Sequence, residues 1–529
     1  MKFRKNTIML LGTLLMVSCS IVFPSTNMGL IGSKESPLDV PKVASIESIN
    51  IPWTEDGVVI CNDLGNQQKP KICPDGNGGA IITWFDMRDD AGDIYAQKVD
   101  KDGNIQWSNN GKVICNSTNE QSYPMIFPTG TGGAIITWED YRNNPTTGKD
   151  IYAQCLDSNG NGLWGANGTI ICNDTDDQHL PEIYTDGNSG AIIIWKDDRD
   201  SKTGIYAQKI LSNGNTAWTD NGTAICNRTA INYQIVNDGS GGALIGWRDN
   251  SAGTIDVYAQ RIDTSGNTQW PGNGTVICNA TQNQYPSVMC GDLNGNAYFA
   301  WRDYRDVGTS IADVYVQKIN SAGATLWDDN GSLICNEINY QDGVDICYDF
   351  NGGAVIAWEN TTAAYLQMEI YAQRIDSSGA TLWDDNGTLI SGVISKKYYP
   401  KICSDGIGGG IIIWADERDV GVSGLDLYAQ YIDANGIRHT TTDYLICDAT
   451  DMQTDYELCM DGNNGAIFVW RDLRNANSDI FVQKMEIVDG NGEETPDEEA
   501  PAIPFGGTFL VFMLLGMIYM VIYTHRNRK

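Results

Sequence analysis

Histidine is nearly absent from this chain: His179, His439 and His525 are the three present, and they fall at unrelated positions. A histidine-ligated metal centre or a Ser-His triad needs such residues with fixed partners, and the pattern offers none. Basic residues are also scarce, 35 Lys and Arg against 67 Asp and Glu for a formal charge of -32. That balance excludes the cationic footprint of a nucleic-acid binder. Because charged residues make up only 19% of the chain, the acidity reflects missing cations rather than acidic runs. No two cysteines are adjacent, and no helical period interrupts the body of the sequence. With 57 glycines and abundant Asn, Asp and Thr, the composition favours short strands joined by tight turns, an all-β chain.

What is present is a repeat. Segments like GGAIITW end at Trp84, Trp138, Trp195, Trp247, Trp301, Trp358, Trp414 and Trp470, at intervals of 52 to 57 residues. Each is followed by D-[IVL]-Y-[AV]-Q or a close variant, with Tyr95, Tyr152, Tyr206, Tyr258, Tyr315, Tyr371, Tyr428 and Phe481 at the aromatic position. A further marker, G-N-x-x-W or similar, ends at Trp107, Trp164, Trp218, Trp270, Trp327 and Trp383. A period of this length signals a solenoid, a propeller or an array of small domains. One unit reads as four strands: PKICPDG, GGAIITW, DIYAQKVD and NIQWSNNGKVIC. Four antiparallel strands per unit is the layout of a propeller blade. The second strand is apolar without alternation, as in Ala191 to Trp195, so it is covered on both faces, as blades stacked around an axis require.

The ends of the array complement each other. The eighth unit stops after Ile480-Phe481-Val482-Gln483 without a fourth strand, whereas Ile51-Pro52-Trp53 and Gly57 to Asn62 form a fourth strand with no preceding three. Residues near 48 to 62 are therefore expected to pair beside Phe481 and close an eight-bladed ring, which removes an exposed sheet edge.

The combined motif, P-x-I-x-x-D-G-x-G-G-A-I-I-x-W-x-D-x-R, then D-I-Y-A-Q-x-I-D-x-x-G-N-x-x-W, then N-G-x-x-I-C, resembles a repeat of large, mostly uncharacterised secreted and surface proteins of bacteria and archaea. Those repeats are regarded as β-propeller blades, and the resemblance spans about residues 51 to 487. It implies the fold and no particular activity. A more distant likeness is to quinoprotein-type propellers, in which Asp100 to Gly103 leading to Trp107 looks similar; their vicinal cysteine pair has no counterpart here.

The sequence assigns no catalytic, cofactor-binding or metal-ligating residue. The W-x-D-x-R triplet occurs at Trp84-Asp86-Arg88, Trp138-Asp140-Arg142, Trp195-Asp197-Arg199, Trp301-Asp303-Arg305, Trp414-Asp416-Arg418 and Trp470-Asp472-Arg474. Asp249 keeps half of it, and Trp358-Glu359-Asn360 loses it. Catalysis needs one site with unlike residues in unlike roles, so a constellation repeated six times reads as an inter-blade clip. The recurring Gln at 97, 154, 208, 260, 317, 373, 430 and 483 reads as a packing rule whose amide bonds to neighbouring backbone. Asp157 to Asn161 reads as a calcium loop or a plain turn, the turn being favoured. Cysteines end fourth strands at 61, 115, 172, 226, 278, 335 and 447, and occupy first strands at 73, 290, 347, 403 and 459. The pairs 61/73, 278/290, 335/347 and 447/459 are twelve residues apart, yet outermost and axial strands lie too far apart to bond, so buried thiols are expected. Sequons at Asn116, Asn167, Asn173, Asn221, Asn227, Asn273, Asn279, Asn330, Asn360 and Asn386 serve either as turns or as glycosylation acceptors.

Outside the repeat, residues 1–25 read as a signal peptide, with Lys2, Arg4 and Lys5 before an apolar run, and Cys19 is a weak lipidation candidate. Residues 26–47 form a linker, 48–487 the propeller and 488–504 an acidic stalk. The apolar run 505–523 spans about 28 Å as a helix, enough for one membrane crossing, and the basic tail 524–529 belongs in the cytoplasm. The sequence thus suggests a monomeric, membrane-anchored surface propeller without a cofactor, acting as a non-enzymatic binding or adhesion module for an extracellular protein or glycan. The alternatives are a quinoprotein-like or glycan-cleaving propeller enzyme, and a structural component of the cell envelope.

Overall fold

A computed structural model describes residues 46 to 489, apart from 90, 200–202, 252, 293, 309–310 and 362–366. The expected signal peptide, membrane helix and tail, and most of the expected linker and stalk, lie outside these residues. Among the described residues no helix is long and apolar enough to cross a membrane.

Each repeat folds as an antiparallel sheet. In blade one the strands are Gln67–Pro74, Ala80–Asp86, Asp93–Val99 and Lys112–Cys115, paired in sequence order. Blades two to eight begin at Gln121, Gln178, Ala230, Gln284, Tyr340, Lys397 and Gln453. First strands of consecutive blades lie side by side, the eighth beside the first, so they ring a central channel. The protein is an all-β, eight-bladed propeller.

The expected closure is present in detail. Val58, Val59 and Cys61 pair with Val482, Phe481 and Ile480, supplying the missing fourth strand. Ile46–Asn50 adds to the far half of the same long strand, Asp479–Asp489, pairing Asn50 with Glu486. The ring accordingly reaches two residues beyond each expected boundary, to 46 and 489 rather than 48 and 487.

Second strands are buried along their length because both faces meet a neighbouring blade; all seven residues of Ala80–Asp86 are buried. The W-x-D-x-R triplet is the clip that its repetition suggested. In blade two the Trp138 indole donates to Asp140 at 2.8 Å, and Arg142 donates to the same carboxylate through Nε at 2.8 Å and Nη2 at 2.6 Å. The guanidinium then reaches Cys115 Sγ of blade one at 3.1 Å and lies 3.8 Å from the centre of the Tyr152 ring. A second inter-blade staple comes from the fourth-strand tryptophans. Trp107 covers Gly160 of the next blade and donates to Ser158 O at 3.2 Å, and Trp53 does the same for Gly103 and Lys101 O, joining blade eight to blade one. At Gly111 φ is +88°, and a Cβ would come within 2.4 Å of the Trp84 ring, so both conformation and space demand glycine. The recurrent Gln is satisfied by backbone: Gln97 donates to Ser108 O at 2.6 Å and accepts from the N–H groups of Lys98 and Trp107.

Because Asp140 is fully buried and holds two other side chains, Asp140→Ala strands the Arg142 cation. The expected loss in urea unfolding is about 3 kcal/mol or more, well above that of Asp140→Asn, which keeps one acceptor. Equal effects from the two substitutions would remove the ionic clip from the account.

Candidate functional site in the central channel

The first strand of each blade is interrupted near its start. Pairing with the second strand slips between Gln68 and Lys71 in blade one, and at the same place in the other blades. The residue at the slip has positive φ in most blades: Lys69 at 52°, Tyr123 at 51°, Leu180 at 50°, Tyr399 at 52° and Asp455 at 50°. Such left-handed conformations cost a non-glycine residue of order 1 kcal/mol and persist where surroundings enforce them. Here the enforcement is visible. Leu180 N donates to Glu139 at 2.7 Å, Tyr399 N donates to Glu359, and the Tyr456 hydroxyl sits 2.7 Å from the carbonyl oxygens of both Tyr398 and Tyr399. The bulge turns these side chains outward to form the channel rim, where Tyr399 is 69% exposed and Leu180 45%.

Two residues inward, the repeat places one side chain per blade at a common register: Lys71, Met125, Glu182, Gln234, Val288, Asp345, Lys401 and Glu457. A cavity of about 540 Å³ opens here, lined by residues of blades seven, eight, one, two and three, including Lys69, Lys71, Tyr123, Glu182, Tyr399, Lys401, Asp455 and Glu457. Leu425, in the long loop after the second strand of blade seven, also lines it. The cavity therefore opens on the face that carries the loops between second and third strands.

Glu457 lies between two lysines, paired with Lys71 and, at 3.1 Å, with Lys401. Burial opposes its ionisation, but Lys401 and Lys71 outweigh that penalty and hold its carboxyl down at about 2. Glu182, from blade three, is the converse. Burial pushes its carboxyl up to about 7, with the charge of Glu457 adding and the lysines offsetting only part. Asp345 accepts from Ile402 N at 2.9 Å and is also raised by burial. The channel thus holds, near neutral pH, one ionised carboxylate and one poised to give up a proton. Two carboxyl groups driven apart in this way are the usual arrangement for acid and base roles.

The sequence reading did not see this site. A signal existed: within an otherwise regular repeat, the residue directly before the I-x-x-D-G segment runs Lys, Met, Glu, Gln, Val, Asp, Lys, Glu, a first-strand position whose charge changes from unit to unit. The other candidates resolve as structure. All thirteen described cysteines are free, including both members of the four spaced pairs, and burial pushes the Cys61 thiol up to about 12. Asp157 accepts from the N–H groups of Asn159 and Asn161 at 2.9 and 2.8 Å, a plain turn, and no metal-binding cluster occurs among the described residues. The sequon residues Asn167, Asn221, Asn273, Asn330 and Asn386 each accept, through Oδ1, a backbone N–H of the preceding blade.

No protein-family model matches the chain, and no curated protein does. Among solved structures, the polysaccharide lyase Uly1 is similar over 84% of this chain and 99% of its own, at 8% identity and a TM-score of 0.43. The Penicillium chrysogenum alpha-L-arabinanase complexed with arabinobiose is similar over 69% and 93%, at 14% identity and a TM-score of 0.32. A thermostable family-43 glycoside hydrolase is similar over 50% and 93%, at 10% identity and a TM-score of 0.28. These likenesses describe fold and assign no substrate. These three structures are enzymes, against the expectation of a non-enzymatic chain, although the likeness reaches the fold alone; the repeat, read as bricks alone, had hidden the unlike carboxyl groups on its axis.

Proposed function

We propose that the chain is a glycan-cleaving enzyme whose site is the channel cavity, with Glu182 as proton donor and Glu457 as the ionised partner. The observation that carries this reading is the pair of carboxyl groups held at opposite protonation states in one cavity. Glycosidic cleavage needs these two services. A proton must reach the leaving oxygen as its bond to the anomeric carbon breaks, and a negative charge must face the oxocarbenium character that develops there. Glu182 supplies the first; water completes the reaction, its hydroxyl going to the anomeric carbon and its proton restoring Glu182. Glu457, fixed by Lys71 and Lys401, supplies the second without being able to swing away. The cavity volume falls in the range of ordinary ligand sites. Tyr123 and Tyr399 on the rim offer ring faces on which sugars stack. The leader-like sequence of residues 1–25 and the apolar run 505–523 support placing this site outside the cell, where polymeric glycans occur.

The test is to incubate the full-length chain with a panel of polysaccharides at pH 6 and measure new reducing ends. Release from at least one polymer is expected, with Tyr399→Ala raising KM about tenfold at unchanged kcat, in line with loss of one stacking contact. No release from any polymer would remove the reading.

A further inference from the structure

On the other arc of the same face, across blades four to six, stands a cluster of a different kind. Arg248 follows Trp247 at the end of a second strand, the place that Ala415 occupies beside the cavity. Its residue is 7% exposed, its Nε is buried without a hydrogen-bond partner, and among the described residues no carboxylate pairs with it. At the equivalent place in other blades Glu139 pairs with Lys149 at 3.1 Å, Arg302 with Asp342 and Arg471 with Asp455 at 3.5 Å, Glu359 accepts from Tyr399 N, and Lys196 is only partly buried. What Arg248 does face is the Tyr285 ring, 5.2 Å from its guanidinium, with Arg302 on that ring at 5.6 Å. Arg302 also donates to the Tyr340 hydroxyl at 2.7 Å, and that hydroxyl meets Tyr304's at 2.9 Å. Burial and the like charge of Arg302 both pull the Arg248 guanidinium below its ordinary value.

Burying a cation with no counter-charge is expensive, and placing a second cation beside it adds to the cost. An arrangement of this sort is relieved by an anion, and a guanidinium fork matches planar or tetrahedral oxyanions. We propose that Arg248, with Arg302 across the Tyr285 ring, forms a binding site for a single carboxylate or sulfate group. If the channel cleaves glycans, the group is carried by an acidic sugar; that clause alone rests on the proposed function. The chain's net charge of -32 repels anions at long range, so close guanidinium contacts have to supply the affinity.

The experiment is calorimetric titration of the full-length chain, and of Arg248→Met, with sodium sulfate, acetate, glucuronate and glucose, together with thermal melting without ligand. Sulfate or a carboxylate is expected to bind the wild type, glucose is not, and Arg248→Met is expected to weaken anion binding at least tenfold. The variant should melt no lower than the wild type, since it removes an unpaired cation. Absence of anion binding, binding by Arg248→Met within twofold of the wild type, or a clearly less stable variant would overturn the site. Glucuronate binding tighter than acetate supports an acidic sugar as the source; equal binding keeps the anion site and overturns the sugar clause. Glu182→Gln should leave all these titrations unchanged, so failure of the channel reading and failure of the anion site are separable.

Discussion

A chain lacking residues 46 to 61 is expected to lose on the order of 5 kcal/mol of stability and to melt about 5–10 °C lower. The size follows from what that segment buries. Trp53, Ile60 and Cys61 are 9%, 2% and 0% exposed, and the two large side chains alone contribute roughly 1.5–3 kcal/mol each. Further contacts go with them. Gln483 donates to Thr54 O and Arg474 to Asp56 O, each at 2.9 Å, and Trp53 stops covering the turn of blade one. Loss of the strand also leaves Asp479–Asp489 as an open edge of eleven residues, a template for pairing with another chain. Calorimetry and light scattering on the truncated chain therefore should show both a lower transition and association. Trp53→Ala separates the two effects, since it costs about 3 kcal/mol while leaving the edge covered. An unchanged melting temperature after truncation would mean that the ring does not depend on this closure.

Glu182→Gln is expected to lower kcat on a cleavable glycan by about 10²–10⁴-fold with little change in KM, because the amide keeps the shape but has no proton to deliver. Glu457→Gln should behave differently. It strands Lys71 and Lys401 in the channel without their shared counter-charge, so activity and stability should fall together. The contrast is the informative part: one carboxyl group is chemically needed and structurally unwelcome, the other is needed in both respects. A Glu182→Gln chain that keeps more than a tenth of its activity would rule out Glu182 as the donor.

Much of the fold was legible in the sequence because the repeat states it eight times. Apolar runs such as Ala191 to Trp195 announce two covered faces, and the matched deficits at Phe481 and Ile51 announce how the ring closes. The site was not legible in the same way. Lys71 and Glu457 pair across 386 residues, and which register of the first strand faces the axis depends on the bulge at Lys69, Tyr123 and Tyr399. The rule that positive φ favours glycine hides such a bulge, since here the turn is enforced by partners from other blades. Arg248 was invisible for a different reason: in sequence it is one of several charged residues following a repeat Trp, and only the folded chain shows it buried with no carboxylate partner among the described residues. The spaced cysteine pairs were legible as free thiols, because the strand order alone puts their outermost and axial strands too far apart to bond.

The most direct measurement on the central claim is the melting temperature of the wild type and Glu182→Gln between pH 4 and 9, which needs no substrate. Glu182 has its ordinary value near 4.5 when unfolded and about 7 when folded. Its contribution to stability is therefore fully present below pH 4.5 and lost as pH rises through about 7. Glu457 works the other way, contributing above its ordinary 4.5 and losing that contribution as pH falls toward 2, but it is common to both chains. The account predicts that the variant gains on the wild type as pH rises from 4.5 to 7, with the difference levelling off above. A difference that stays constant with pH, or one that favours the wild type at pH 8, would show that Glu182 is ionised in the channel like any surface carboxylate and would contradict the account.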